Sequence, residues 1–367
     1  MNFLKKFLAF FSFIILFQLT SAQKYYSFFH NSENKYDTSK LSFELDNTNF
    51  LKNNEYFSNF AVGYTLIGYF IKPQMVYHPF SKLEINLGGY FLNYFGSIDK
   101  KIFVYPVFSI KYKPISLFSI TFGSLQGTVN HCLPETIYDS ETYITDNVEN
   151  GLQFNLNSQK IKSQLWLDWQ QFIFKNSNYP EKFCIGNYTN YNLLNLNSKK
   201  SLNIDIGGII SHIGGQIDTS GVAVQSIVNT ISGINFKWNK FLTLYSIYHT
   251  SVDFSPQKQL PYLYGYAILS GIELNCYHLN FAFEHWFANC YFSSFGSPIY
   301  QSLSQVYKGY KENKRAIVIS HIFWHNSNSK IINFGLGADL YFDLYNKTLD
   351  YSYSFYIKTN FNLILKK

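Results

Sequence analysis

Apolar and polar side chains alternate with a period of two along most of this chain, and the last stretch shows the pattern best. From Leu349 to Leu365, the residues Leu349, Tyr351, Tyr353, Phe355, Ile357, Phe361, Leu363 and Leu365 fall on one face, and Ser352, Ser354, Lys358, Asn360 and Asn362 on the other. A strand of about 9–11 residues crosses a bilayer when its apolar face meets lipid and its polar face a lumen. The same alternation, punctuated by turn residues, predicts strands over roughly 41–47, 57–71, 82–95, 102–112, 115–125, 150–157, 161–174 and 182–195. It continues over roughly 201–212, 222–238, 241–250, 263–275, 278–288, 314–324, 330–343 and 349–365. That is about 16 strands, within a range of about 12 to 18 for period-two patterns of this kind. An open sheet edge is intolerable in hydrocarbon, so the series must close into an all-β, antiparallel transmembrane barrel.

The connections support the same architecture. Lys113-Pro114, Asn157–Gln159, Asn197–Lys200, Asn239-Lys240, Cys276-Tyr277 and His325–Ser329 read as tight turns, whereas 127–149, 175–181, 213–221, 251–262 and 289–313 are longer. Short turns on the periplasmic side and long loops outside are the rule for outer-membrane barrels, with an even strand count returning both termini to the periplasm. Sixteen strands satisfy it when 289–313 is one external loop.

At the other end, Lys5 and Lys6 precede an apolar run from Phe7 to Phe17 and then Thr20-Ser21-Ala22. This reads as a secretory signal peptide over residues 1–22, followed by a periplasmic lead-in over 23–40 and a barrel domain over 41–367. The apolar run is shorter than the ~20 residues of a spanning helix. The expected location is therefore the cell outer membrane, with its lipid as the first partner.

Composition sharpens this picture. Aromatic residues make up 20% of the chain and charged residues only 14%, a balance suited to the Tyr and Phe girdles of a barrel. The formal net charge is +7, carried almost entirely by lysine because Arg315 is the single arginine. No basic stripe of the nucleic-acid-binding kind is present. Cys132, Cys184, Cys276 and Cys290 are scattered without metal-type spacing and are expected to be mostly unpaired.

Strand parity assigns the lumen. With Leu83, Ile85 and Leu87 toward lipid, Glu84 points inward, and the same logic sends Gln164, Asp168, Asn203, Asp205, Glu273, Glu284 and Lys358 inside. A charge facing lipid would cost ~2–4 kcal/mol at the midplane, which nearly forces this placement. The lumen is thus expected to be polar and somewhat acidic. The segment between Pro114 and Gln159 holds Glu135, Asp139, Glu141, Asp146 and Glu149 and neither Lys nor Arg. As an acidic external loop at a pore mouth it would favour cations.

Enzymatic constellations look incomplete. A barrel lipase would need a Ser shortly after a His on one strand, and Asn130-His131-Cys132-Leu133 lacks it. In Gly123-Ser124-Leu125-Gln126-Gly127 the Ser is not midway between the glycines, as a nucleophile elbow requires. His321 and His325, on a strand, stand ~13 Å apart and cannot share one ion. No cofactor motif and no resident metal site is read from the chain, and no EF-hand spacing accompanies the acidic loop.

Several segments carry a family likeness: FGSLQGTVNHCLPETIYD at 122–139, NVENGLQF at 147–154, WLDWQQFIFKNSNYPEKF at 166–183, SHIGGQID at 211–218 and FGSPIYQSL at 295–303. On these the chain resembles a family of uncharacterised outer-membrane β-barrel proteins common in Bacteroidota, porin-like in architecture. The pattern falls on Gly123, Gly127, His131, Tyr138, Asp139, Glu149, Gly151, Trp166, Trp169, His212, Gly214, Gly215, Gln216 and Asp218. Two positions depart from it: Pro134 precedes Glu135 where the family has Glu before Pro, and Asn147 stands where the family has Arg. The resemblance implies a surface-exposed barrel and no particular substrate.

His131, Glu135, Asp139, Glu149, Asp168, His212, Gln216 and Asp218 lie near the outer ends of expected strands, and one polar cluster at the mouth is the expectation. Barrels of 16–18 strands leave an aqueous lumen, so the leading expectation is a non-enzymatic channel for small solutes with a weak cation bias. That expectation fails if the 122–151 segment plugs the lumen. The alternative is a non-conducting barrel that binds a surface glycan or a protein partner, or supports outer-membrane assembly. The third is a lipid-modifying barrel enzyme, which would lose turnover when His131 or His212 becomes Ala.

Overall fold

The computed structural model describes residues 28–29, 40–99, 101–197, 199–239, 241–326 and 331–366. The expected signal peptide and most of the lead-in lie outside the described residues. Sixteen strands form one closed antiparallel barrel in which each strand pairs with its neighbours in sequence and the first pairs with the last. They are β1 (Leu41–Glu55), β2 (Tyr64–Phe80), β3 (Leu83–Tyr94), β4 (Ile102–Ile115), β5 (Phe118–Ser124), β6 (Asn150–Asn157), β7 (Ile161–Gln171) and β8 (Lys182–Asn197). The ring continues with β9 (Lys200–Ile213), β10 (Gln225–Trp238), β11 (Leu242–Asp253), β12 (Tyr264–Cys276), β13 (Leu279–Asn289), β14 (Lys314–His325), β15 (Ile332–Asp343) and β16 (Leu349–Lys366). Closure runs from Ser42 opposite Ile364 to Glu55 opposite Tyr351.

The count and nearly all the bounds agree with the alternation. The exception is the start. β1 runs on to Glu55, and β2 begins at Tyr64 and continues through Pro73 and Pro79 to Phe80. Proline normally ends a strand because it cannot donate to the ladder. Here the ladder to β3 skips Pro73, resuming at Gln74 opposite Gly88, while the ladder to β1 continues past it.

Parity holds where the chain crosses the membrane. In β16, Leu349 is 46% exposed outward and Lys358 only 1% exposed inward. Aromatic girdles mark both rims: Trp169, Tyr264 and Tyr353 outside, and Tyr77, Tyr112, Trp238 and Trp324 toward the periplasm, all exposed on the outer wall. Glu84, Gln164, Asp205, Glu273, Glu284 and Lys358 all take inward positions.

The lumen itself differs from expectation. The external half is a packed apolar core in which Ile137, Tyr291 and Ile299, from two external loops, meet inward-facing Trp166, Ile209, Trp286 and Ile319. The loop over 125–149 folds down into the barrel through a short 3-10 turn (Thr128–His131) and the one-turn helix α1 (Thr142–Thr145). It bonds there to the loop over 290–313: Asp139 N donates to the Phe295 carbonyl (2.8 Å), Ser297 N to that of Glu135 (2.9 Å), and Tyr291 Oη to that of Thr136 (3.0 Å). Arg315 seats the second loop. Its guanidinium pairs with Asp343 (3.0 Å), donates to the Gln301 carbonyl (2.7 Å) and covers the Phe60 ring at 3.4 Å.

Phe28 and Phe29, expected in a periplasmic lead-in, also pack in the lumen against Phe323 and Tyr356. Phe29 reaches Tyr143 of α1 with ring centroids 4.6 Å apart, and Lys358 Nζ donates to the Phe29 carbonyl (2.9 Å). The polar, aqueous interior expected from parity is thus replaced by a plug. Parity reports which side chains point inward, and inserted loops decide what they meet.

Candidate functional site at the external rim of β9 and β10

The residues expected at the mouth separate into three groups. The first pins the inserted loop. His131 is fully buried and stacks on Trp166 at 3.6 Å and 7°; its Nε2 lies 2.6 Å from Glu149 and its Nδ1 3.0 Å from Gln164. Glu149 also accepts from Tyr138 Oη (2.7 Å) and from the Thr128 amide (2.6 Å). Burial alone would raise the Glu149 carboxyl, but the His131 ring and these hydrogen bonds outweigh it and hold it below the ordinary carboxylate value. Gly127 is required here, since a Cβ would lie 2.3 Å from the Glu149 carboxyl carbon. Asp168 joins this end, accepting from the Asn150 amide (2.9 Å).

The second group lies across the lumen. Glu135 accepts from Ser140, and Asp139 from the Glu141 amide. Glu141 pairs with Lys52 at 2.9 Å and accepts from Tyr64 and Asn54. Burial, and then the Glu135 and Glu141 charges, push the Asp139 carboxyl up to about 7 against the pull of Lys52. Neither group contains a hydroxyl set against an available histidine.

The third group is outside the barrel. In β9 the buried Ser211, Ile209 and Asp205 face inward, so His212 projects from the outer wall; in β10 Ile227 and Asn229 face inward, and Ser226 projects outward. The two residues are register partners, and His212 Nδ1 lies 2.9 Å from Ser226 Oγ. The row continues sideways. Phe183 of β8 is the other partner of His212, with ring centroids 4.9 Å apart, and Trp169 of β7 stacks on Phe183 at 5.2 Å. On the far side the Phe254 amide donates to the Ser226 carbonyl (2.8 Å), and its ring is exposed. Ser226 N donates to Ser255 Oγ (3.0 Å).

The connecting loop leaves β9 at a glycine. Gly214 has φ +136°, and a Cβ there would lie 2.8 Å from a Val224 side-chain methyl. Asp218 turns onto Ser220 within the loop, and Gln216 is exposed. Among the described residues neither is brought to His212 by a hydrogen bond.

A serine hydroxyl within hydrogen-bond reach of an imidazole nitrogen is the arrangement that activates a nucleophile: the ring takes the hydroxyl proton as the oxygen attacks. A second such pair, His249 and Thr136 at 2.8 Å, is sealed in the core. Among the described residues the outer-wall pair is therefore the one a lipid can reach.

Residues 31–367 match the family model for lipid A 3'-O-deacylase-type proteins. The chain belongs to that family. No curated protein matches it significantly. Solved structures share the fold at low identity. A loop-deletion mutant of OmpT, an outer membrane protein of Vibrio cholerae, aligns with a TM-score of 0.53 at 9% identity, covering 89% of this chain and 100% of that one. OprD of Pseudomonas aeruginosa aligns at 0.52 and 9%, covering 89% and 94%, and Acinetobacter baumannii OccAB1 at 0.52 and 5%, covering 91% and 100%. The protein is thus an outer-membrane barrel of the deacylase-type family.

Membership of a deacylase-type family overturns two expectations: that the barrel is a solute channel, and that it is not an enzyme. The inserted loops supply the structural reason for the first. For the second, Asn130-His131-Cys132-Leu133 has no Ser after its His, whereas Ser226 meets His212 across two strands. His212 lies within SHIGGQID, and Ser226 carries no motif.

Proposed function

We propose that the protein hydrolyses an ester-linked acyl chain of a lipid A-type glycolipid in the external leaflet, with Ser226 as nucleophile and His212 as base. The carrying observation is the His212–Ser226 hydrogen bond on the outer wall at the external rim, where an acyl ester of that leaflet would lie. Membership of the deacylase-type family supports the substrate class. Trp169, Phe183 and Phe254 flank the pair and suit the interface between headgroups and acyl chains.

In the proposed reaction Ser226 Oγ forms a bond to the acyl carbonyl carbon while His212 Nδ1 takes its proton. The ester bond to the sugar oxygen then breaks, and that oxygen receives the proton. Water, deprotonated by the same nitrogen, releases the fatty acid from the serine. Phe183, tilted against the ring with centroids 4.9 Å apart, orients it where catalytic triads use a carboxylate.

The test is mass spectrometry of lipid A incubated with the folded protein in mixed micelles. One lost acyl chain, abolished by Ser226→Ala and His212→Ala in barrels that still fold, is the expected result. Retention of the lipid without turnover would instead mean a binding barrel.

A further inference from the structure

A second site lies on the opposite side of the plug. The periplasmic half of the lumen contains a cavity of about 420 Å³, running from Lys113, Ser116 and Leu117 at the β4–β5 turn up to Gln126, Cys132 and Pro134 beneath the inserted loop. This volume falls in the range of small-molecule pockets. Its floor is separated from the rim pair: Asp205 lies seven residues below His212 on β9, or ~23 Å at strand rise.

The lining has a polar logic. Lys237, Thr243 and Glu273 are successive register partners on β10, β11 and β12 and line the cavity together. Thr243 Oγ1, in a residue only 5% exposed, has no hydrogen-bond partner, an unusual state for a buried hydroxyl. Lys162 lines the cavity from β7, and neither it nor Lys237 makes an ion pair among the described residues. By contrast, Asp205 is already occupied by Tyr188 (2.7 Å), Asn190 (2.7 Å) and Asn235. Glu273 is engaged by Asn275 Nδ2 (3.3 Å), and the groups that can meet a ligand include the Lys162 and Lys237 ammoniums, the Thr243 hydroxyl and the Asn155 amide.

We propose that this cavity binds a small polyhydroxylated anion from the periplasm, its negative group held by Lys162 and Lys237 and its hydroxyls by Thr243 and Asn155. A phosphate or carboxylate on a sugar-sized skeleton fits both the charge and the volume. The site is independent of acyl hydrolysis at the rim.

Cys132, a free and partly exposed thiol in the cavity roof, serves as the reporter. The experiment measures its alkylation by N-ethylmaleimide in the folded, full-length protein with Cys276→Ser and Cys290→Ser, using glucose 6-phosphate, inorganic phosphate or glucose as probes. Glucose 6-phosphate is expected to slow alkylation about 5-fold at four times its dissociation constant, since protection scales as 1 + [L]/Kd. Lys162→Gln with Lys237→Gln is expected to remove the protection, and Thr243→Val, which leaves the charge intact, to weaken it. No protection by glucose 6-phosphate, or full protection in the lysine variant, would overturn the site. Burial pushes the Cys132 thiol up to about 11, so alkylation is run at alkaline pH where the thiolate is populated; a Cys132 that stays unreactive there would mean a closed cavity and would also overturn the site. Equal protection by inorganic phosphate would overturn the role of the hydroxyls.

Discussion

Replacing His131 with Ala tests whether the inserted loop is held by one buried constellation. The substitution removes the 2.6 Å contact to Glu149, the 3.0 Å contact to Gln164 and the stack on Trp166. A hydrogen bond to a charged group contributes about 1.5–3 kcal/mol, and an aromatic stack about 0.5–1.5 kcal/mol. Glu149 keeps Tyr138 and Thr128 as donors, so it is not wholly abandoned. A net loss of about 3–4 kcal/mol follows, at the low end for breaking a buried pair. The barrel wall keeps all its ladders, so the loss falls on the loop. At 1.4 kcal/mol per factor of ten, the open loop becomes about 100- to 1000-fold more populated, and cleavage follows that population when reclosing is fast. Trypsin cannot report this, because no Lys or Arg lies between Pro114 and Gln159. A glutamate-specific protease can, through Glu135, Glu141 and Glu149. Folded His131→Ala should be cut between residues 127 and 149 while the wild type resists. An unchanged fragment pattern and rate would refute the pinning role.

Four further outcomes are expected. Ser226→Ala and His212→Ala should each lower deacylation by at least about 100-fold, the usual scale for loss of a nucleophile or its base, with heat-modifiable gel mobility unchanged. Because folding raises the Asp139 carboxyl to about 7, its contribution to loop stability is complete below the unfolded value of about 3.9 and is lost as pH rises through about 7. Protease resistance of the loop should accordingly fall between pH 5 and pH 8, and Asp139→Asn should flatten that dependence; a pH response that survives the substitution would assign it elsewhere. Arg315→Ala should cost about 3–5 kcal/mol by stranding buried Asp343, read as a lowered unfolding midpoint in detergent. Finally, the folded wild-type protein should give no steady openings in a planar bilayer, and sustained conductance would contradict the plug.

The architecture was legible in the chain because a membrane strand is specified locally. Lipid on one side and any other environment on the other impose alternation, and Leu349 to Leu365 displays it without reference to the rest of the protein. The even strand count, the long 289–313 loop and the inward course of Glu84, Asp205 and Lys358 follow from the same rule. Alternation does not say what fills the lumen. Ile137 and Tyr291 read as loop residues, and only their insertion against Trp166 and Trp286 turned an expected pore into a core.

The site divides along the same line. His131 and Glu149 meet inside the barrel, whereas His212 points the opposite way, because it stands on the outward parity of β9. The partnership of His212 with Ser226 depends on the β9–β10 register, a non-local pairing fixed by the whole ring of strands. Side-chain direction along a strand is thus a property of the sequence, since the pleat has a period of two. Which side chains touch across strands, and which loops enter the barrel, are properties of the closed structure alone.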